Sequence, residues 1–255
     1  MKKTLSIFLF ICAFLFLWQL IENAVDYHRI ENDDTSIELF IASPHTIIKT
    51  FVVDGGVILS NLGYTLARAG GGLLLGILLA FVVSIVFLFF PTVRNIGFPF
   101  SFAMNSFPIV GFAPLIILAF GQGSWFSIVF VSMIISYFPI LVGLDSSFRN
   151  VSKDILEVMR VFNATQKQML FKIFLPSAIP GFLTALRLAI PASIIGATIG
   201  EWLGVRTGIG QLITVAMYQL RPGLLYASLI SVTVAGVICV GILVFVEKKL
   251  LVWKQ

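Results

Sequence analysis

The chain alternates long apolar runs with short polar intervals, and this alternation organises everything else. The first run, Thr4 to Ile21, has 18 residues, ends in Trp18-Gln19-Leu20-Ile21 and shows no small-residue cleavage site. A secretory leader has an apolar stretch of about 7–15 residues, whereas a span needs about 17–25. We therefore read it as a retained first transmembrane helix. Five further runs read as spans, near Tyr64–Phe90, Ile96–Phe120, Trp125–Leu144, Ala178–Gly200 and Leu224–Val246. Gly70, Gly71, Gly72 and Gly76 in the second span, and Gly196 and Gly200 in the fifth, are small residues that let helices approach closely in lipid.

Between the first and second runs lies an acidic interval followed by Ser43-Pro44, a helix cap with its first helical residue. Ile47, Ile48, Phe51 and Val52 make one apolar face, and Gly55-Gly56 are expected to end the helix. Such a helix either lies on the membrane surface or packs against the bundle. The organisation expected is residues 1–63 as first span, loop and surface helix, then 64–255 as a core of five spans with a polar loop at 149–176.

Composition agrees with this pattern. Of 255 residues 58% are hydrophobic and only 11% charged, against roughly a quarter in soluble domains. The net charge of +5 follows topology rather than nucleic-acid binding. With a cytosolic N-terminus, eleven Lys/Arg (Lys2, Lys3, Arg94, Arg149, Lys153, Arg160, Lys167, Lys172, Lys248, Lys249, Lys254) fall inside and four (Arg29, Lys49, Arg206, Arg221) outside. That is the positive-inside bias, and six spans put both termini and the 149–176 loop in the cytosol. Cys12 and Cys239 lie in apolar runs and read as buried thiols. No phosphate-binding loop, metal-ligand spacing or nucleophile–base set is present, so no catalytic, cofactor or metal residues are assigned. His28 and His45 stand alone, and Asp33-Asp34 has no second acidic cluster to join it in holding magnesium.

The polar loop carries the most information. Ile155, Val158, Met159 and Phe162 form a helical apolar stripe, with Asp154, Glu157 and Arg160 on other faces. Asn163 interrupts, Thr165 caps a second helix bearing Met169, Leu170, Ile173 and Phe174, and Pro176 is expected to stop it. On pattern alone this is either a plain surface loop or two amphipathic helices lying under the bundle, polar face outward.

The spacing resembles the EAA loop of bacterial ABC-importer permeases: EAA, three residues, Gly, nine residues, I-x-L-P. Glu157 falls on the Glu, Asn163 on the Gly, and Ile173, Leu175 and Pro176 on the I-x-L-P; Val158-Met159 replace the two alanines. Asn is the next most willing residue after Gly at a left-handed helix terminus. Thr65-Leu66-Ala67-Arg68, Phe107-Pro108, Ala113-Pro114-Leu115, Phe120-Gly121-Gln122-Gly123, Leu186-Arg187, Gly200-Glu201 and Gly208-Ile209-Gly210 are similar, in order and spacing, to the nitrate/taurine/aliphatic-sulfonate group of these permeases.

The resemblance implies an all-α six-span permease of the type I importer fold in the bacterial cytoplasmic (inner) membrane. It also implies a homodimer with a second permease copy, two ATP-binding cassette ATPase subunits and an outer solute-binding protein. Substrates of that group include sulfonates, nitrate, bicarbonate-like anions and vitamin precursors. Asp154, Glu157, Arg160, Asn163, Ala164, Thr165, Gln168, Ile173, Leu175 and Pro176 would be the ATPase-coupling residues. Within the spans, Arg187 is either a pathway residue for an anionic substrate or a structural partner of Glu201 or Asp145. Asn105, Ser106 and Phe107 are candidate pathway lining, and Glu201 a candidate for the outer gate or docking surface. The competing functional readings are an ATP-independent secondary transporter or channel, and a non-transporting membrane scaffold or enzyme.

Overall fold

The computed structural model describes residues 17–20 and 42–250. The first expected span, apart from Leu17–Leu20, and the acidic interval therefore lie outside the described residues. Every long element among those described is helical. They are α1 (Pro44–Phe89), α2 (Pro91–Ser106), α3 (Ile109–Phe120), α4 (Trp125–Arg149), α5 (Lys153–Val161), α6 (Gln166–Met169), α7 (Leu175–Gly204), α8 (Ile209–Tyr218) and α9 (Pro222–Leu250). Among the described residues four helical stretches are long and apolar enough to cross a membrane: α1, α4, Gln166–Gly204 and most of α9. The α2–α3 pair makes a fifth if counted as one broken span.

α1 starts as its sequence predicts. The Ser43 hydroxyl accepts from the Thr46 amide at 3.1 Å, and Pro44 opens the helix. It does not stop at Gly55-Gly56 but runs for 46 residues into the second span. Two helical glycines cost about 1 kcal/mol each. Ile47, Ile58 and their neighbours recover that by packing against Ile209, Leu212, Leu224 and Ala227.

The expected third span is instead two helices meeting at 96°. Pro108 has no amide to offer, and Phe107 before it takes an extended backbone, as residues preceding proline prefer. Pro114, Pro139 and Pro191, by contrast, lie inside continuous helices.

α1, α4 and α7 form the packed centre. A Cβ on Gly72 would run into the Ser132 side chain, and one on Gly76 would sit 2.7 Å from Ser136 Oγ. On the other side of α4, a Cβ on Gly196 would lie 2.8 Å from the Ser132 backbone. Ser132 completes the junction by donating its hydroxyl to the Ser193 carbonyl at 2.8 Å. The glycines thus act as the close-approach sites their spacing suggested. Gly70, by contrast, faces open space. Gly72→Val is expected to lower stability by about 1–3 kcal/mol through overpacking, whereas Gly70→Val leaves it unchanged. Thermal unfolding of the detergent-purified protein distinguishes the two.

Candidate functional site

At one end of the bundle α4 closes at Arg149 and the chain turns into α5. α5 ends in a Schellman-type cap. Asn163 takes φ = 52°, and the Ala164 amide bonds the Met159 carbonyl at 3.0 Å. That left-handed residue is the one the family pattern places on glycine, and Asn tolerates it because its short polar side chain can bond locally. Thr165 then opens α6 with a capping box: its hydroxyl accepts from the Gln168 amide, and the Gln168 side chain accepts from the Thr165 amide at 2.8 Å. Back-to-back caps fix the angle between the two helices without help from the bundle. Replacing Asn163 with Val is expected to cost about 1–2 kcal/mol, while Asn163→Gly is expected to be neutral or better, as measured by thermal unfolding.

Pro176 does not stop the second helix. Leu170–Phe174 form a wide π turn, and the helix passes through Pro176 without a break to Gly204. Pro176 falls in the first turn of α7, where its missing amide is least costly. Ile173 and Phe174 are buried, and Phe174 meets Phe148 of α4 edge-on at 6.0 Å. The limb is therefore a rigid continuation of a membrane-crossing helix.

The apolar stripe of α5 is oriented differently from the sequence expectation. Only Leu156 and Met159 lean toward the bundle, whereas Ile155, Val158, Val161 and Phe162 are exposed, the last two at 81% and 78%. Asp154, Glu157, Asn163, Thr165, Gln168 and Pro176 are exposed around them, while Ala164 and Leu175 are half-buried. The Arg160 side chain is outside the described set. Val161 was missed by the sequence reading; the apolar pair Val161-Phe162 directly before Asn163 at the α5 terminus was the available signal. Beside this limb, α4 and α7 leave a groove of about 670 Å³ lined by Ser146, Ser147, Asn150, Ile155, Pro180 and Thr184 among others.

The opposite end of the bundle holds a buried charge cluster. Glu201 has no exposed surface; its Oε1 accepts from Arg68 Nη1 at 2.7 Å. Its Oε2 accepts from Thr65 Oγ1 at 2.8 Å and from the Gly210 amide at 3.1 Å. Arg68 also donates to the Thr207 carbonyl (2.7 Å) and hydroxyl (2.8 Å). Thr65 Oγ1 accepts the Ile209 amide and Asn61 Oδ1 accepts the Gly208 amide. Three amides at the start of α8 are thereby capped by side chains of α1 and α7. Gly208 has φ = 107°, and a Cβ there would collide with the Glu201 carboxylate.

Arg187 pairs with neither carboxylate read as its structural partner. Its partner is neither Glu201 nor Asp145: Nη2 and Nε bond Glu247 Oε2 at 2.6 and 3.1 Å, tying α7 to α9 with the Arg187 side chain 43% exposed. Asp145 receives Arg94 in a two-pronged pair, both contacts 2.7 Å. Glu201 is enclosed rather than on an outer surface. Asn105, Ser106 and Phe107 are exposed at the α2–α3 break, and no hydrogen bond joins them to Arg187 or Glu201. The sequence-expected pathway residues are therefore spread over separate elements.

Helices long and apolar enough to cross a membrane, with a two-helix limb continuous with one of them, define an integral-membrane helical protein. Residues 72–252 match the family "Binding-protein-dependent transport system inner membrane component", and the chain belongs to that family. It is thus a permease subunit of the binding-protein-dependent ABC transporter type, a multi-pass inner-membrane protein of the nitrate/taurine/aliphatic-sulfonate group. Among similar proteins is the formylaminopyrimidine transport permease protein ThiX of Halalkalibacterium halodurans, 29% identical over 209 residues, covering 82% of this chain and 83% of that one. The taurine transport system permease protein TauC of Escherichia coli is 22% identical, covering 81% and 74%. A solved amino acid ABC transporter with histidines superposes at a TM-score of 0.63 with 15% identity, over 78% of this chain and 97% of that one. That last likeness concerns the fold alone.

Proposed function

We propose that this permease imports a small polar solute, sulfonate-like or a pyrimidine-type vitamin precursor, and that an ATPase subunit drives it by docking on α5 and α6. The observation that carries the reading is the exposed apolar tip of α5, Val158, Val161 and Phe162, mounted on a doubly capped limb that continues into α7. An apolar tip of this kind is costly to leave in water and suits a groove on a soluble partner. Because α6, the π turn and α7 form one continuous helix, displacement of the tip reaches the middle of the membrane as a rigid-body motion. In this reading two permease copies assemble with two ATPases, a solute-binding protein docks at the opposite end, and both termini lie in the cytosol.

Arg68, Arg94 and Arg187 are each matched by a carboxylate. Such neutralised pairs offer little grip on an anion, which supports leaving solute choice to the binding protein. Arg187 retains a pathway role in this reading only through its exposed edge. The test is uptake into proteoliposomes containing the permease, its ATPase and the binding protein. Wild-type uptake should require internal ATP. Glu157→Lys combined with Asn163→Pro should abolish uptake and release the ATPase on purification. Retained ATPase and retained ATP-driven uptake in that variant would overturn the coupling assignment, and uptake without ATP would favour a secondary transporter.

A further inference from the structure

Where the turn between α3 and α4 meets the turn between α7 and α8, the end of the bundle away from α5 opens into a polar pocket of about 690 Å³. The Gly123 amide donates to the Gly204 carbonyl at 2.9 Å and joins the two turns. Arg68, Gln122, Trp202, Arg206, Thr207 and Gln211 supply the polar lining. Gln122 sits between Gly121 and Gly123, whose φ values of 93° and 80° fold the first turn sharply. Arg206 stands exposed on the second turn, and the half-buried Gln211 lies in the first turn of α8. The side chains of Gln122, Trp202, Arg206 and Gln211 have no hydrogen bond or ion pair among the described residues. Arg68 adds one more unused donor: its side chain is 6% exposed, and its Nε is buried without an acceptor.

Donors dominate this lining. Arginine and tryptophan side chains only donate, while the two glutamine amides both donate and accept. Among the described residues no carboxylate lines the pocket, and Glu201 behind it is engaged by Arg68, Thr65 and the Gly210 amide. Arg68, Arg94 and Arg187 each meet a carboxylate, whereas Arg206 meets none and leaves the pocket positively charged. The volume lies within the range of organic-ligand pockets, about 300–1,000 Å³. Trp202, Leu203 and Val205 provide apolar wall for a carbon skeleton. We propose that the pocket binds a small organic anion, with Arg206, Gln122 and Gln211 holding its acidic group and Trp202 covering its carbon part. Resting on the import reading above, that anion is the solute itself, met at the outer mouth after the binding protein releases it. An unpaired guanidinium in a cleft raises the local concentration of anions. Of the two solute classes proposed above, this chemistry selects the sulfonate-like one.

The test is proton saturation transfer from the full-length permease in detergent to ethanesulfonate, with ethanesulfonamide as a neutral probe of the same shape. Wild type is expected to bind ethanesulfonate saturably and ethanesulfonamide about tenfold more weakly or less. Arg206→Gln should weaken ethanesulfonate binding about tenfold or more, the scale of a lost charge-assisted hydrogen bond, with Arg206→Lys intermediate. Gln211→Leu should weaken it about threefold, the scale of a neutral hydrogen bond. Arg221→Gln removes a cation that pairs with Asp54 outside the pocket and should leave binding unchanged. Thermal unfolding verifies that each variant folds. The proposal is overturned by absence of saturable binding in wild type, by equal binding of the two probes, or by unchanged binding in Arg206→Gln. An equal loss in Arg221→Gln overturns it too, because the effect is then one of general surface charge. Probe binding needs no transport, so the two readings fail separately. ATP-driven uptake without probe binding overturns the pocket and leaves the import reading standing. Probe binding with ATP-independent uptake overturns the import reading and leaves the anion pocket.

Discussion

Replacing Glu201 with Ala is expected to destabilise the permease by about 3–5 kcal/mol, the cost of stranding a buried partner charge. The side chains of Arg68 and Glu201 are 6% and 0% exposed, so solvent cannot take over the lost contact. Removal of the carboxylate also orphans the Gly210 amide, which donates to Oε2, and leaves the Thr65 hydroxyl with the Asn61 carbonyl at 3.2 Å as its acceptor. Arg68→Ala should cost a comparable amount by leaving the carboxylate uncompensated. The double variant Arg68→Met, Glu201→Leu should be more stable than either single variant, because a buried ion pair is often replaceable by apolar groups of similar volume. Thermal unfolding in detergent, with membrane accumulation as a second readout, checks the order. If Glu201→Ala unfolds at the wild-type temperature, the pair does not hold the α1–α7–α8 end together.

This pair also shows where sequence reading stops. Arg68 and Glu201 are each visible as charges in or beside spans, and such residues normally find one another. Nothing local says that a carboxylate on α7 meets a guanidinium 133 residues earlier; that is a product of how α1 and α7 cross. Arg187 illustrates the same limit, since its partner Glu247 sits near the end of α9. Local signals fared better. Ser43 as a cap, Asn163 as a left-handed terminus and Thr165 as the next cap depend only on residues within one turn, and the structure has all three. Punctuation by Gly and Pro was legible only where packing did not override it. Gly55-Gly56 failed to end α1 because its flanks are pinned to α8 and α9. Pro176 failed to end the second helix because a π turn widened the backbone just ahead of it. Pro108 did break its span, with Phe107 before it in extended backbone.

The α5 tip poses the remaining question, because an amphipathic pattern does not say which partner its apolar face meets. The sequence expectation turns Ile155, Val158 and Phe162 toward the bundle with the polar face outward. The structure turns them away, leaving Phe162 78% and Val158 54% exposed. If the tip fills a pocket on the ATPase, Phe162 is the anchoring aromatic. Phe162→Ala should then weaken ATPase binding by about 2 kcal/mol, the scale of an interfacial hot spot, or roughly 30-fold in affinity. Phe162→Asp should go further, since a carboxylate in an apolar pocket is both smaller and desolvated. Neither change touches the folded permease, so thermal unfolding of the isolated subunit should stay at the wild-type value while ATP-driven uptake falls. Val158→Ala addresses the departure from the family pattern at the same site. If Val158 is part of the anchor, shortening it weakens binding less than Phe162→Ala, because less apolar surface is lost. ATPase affinity unchanged in Phe162→Asp would mean that the exposed tip meets lipid or solvent, and that Glu157 and its polar neighbours carry the contact instead.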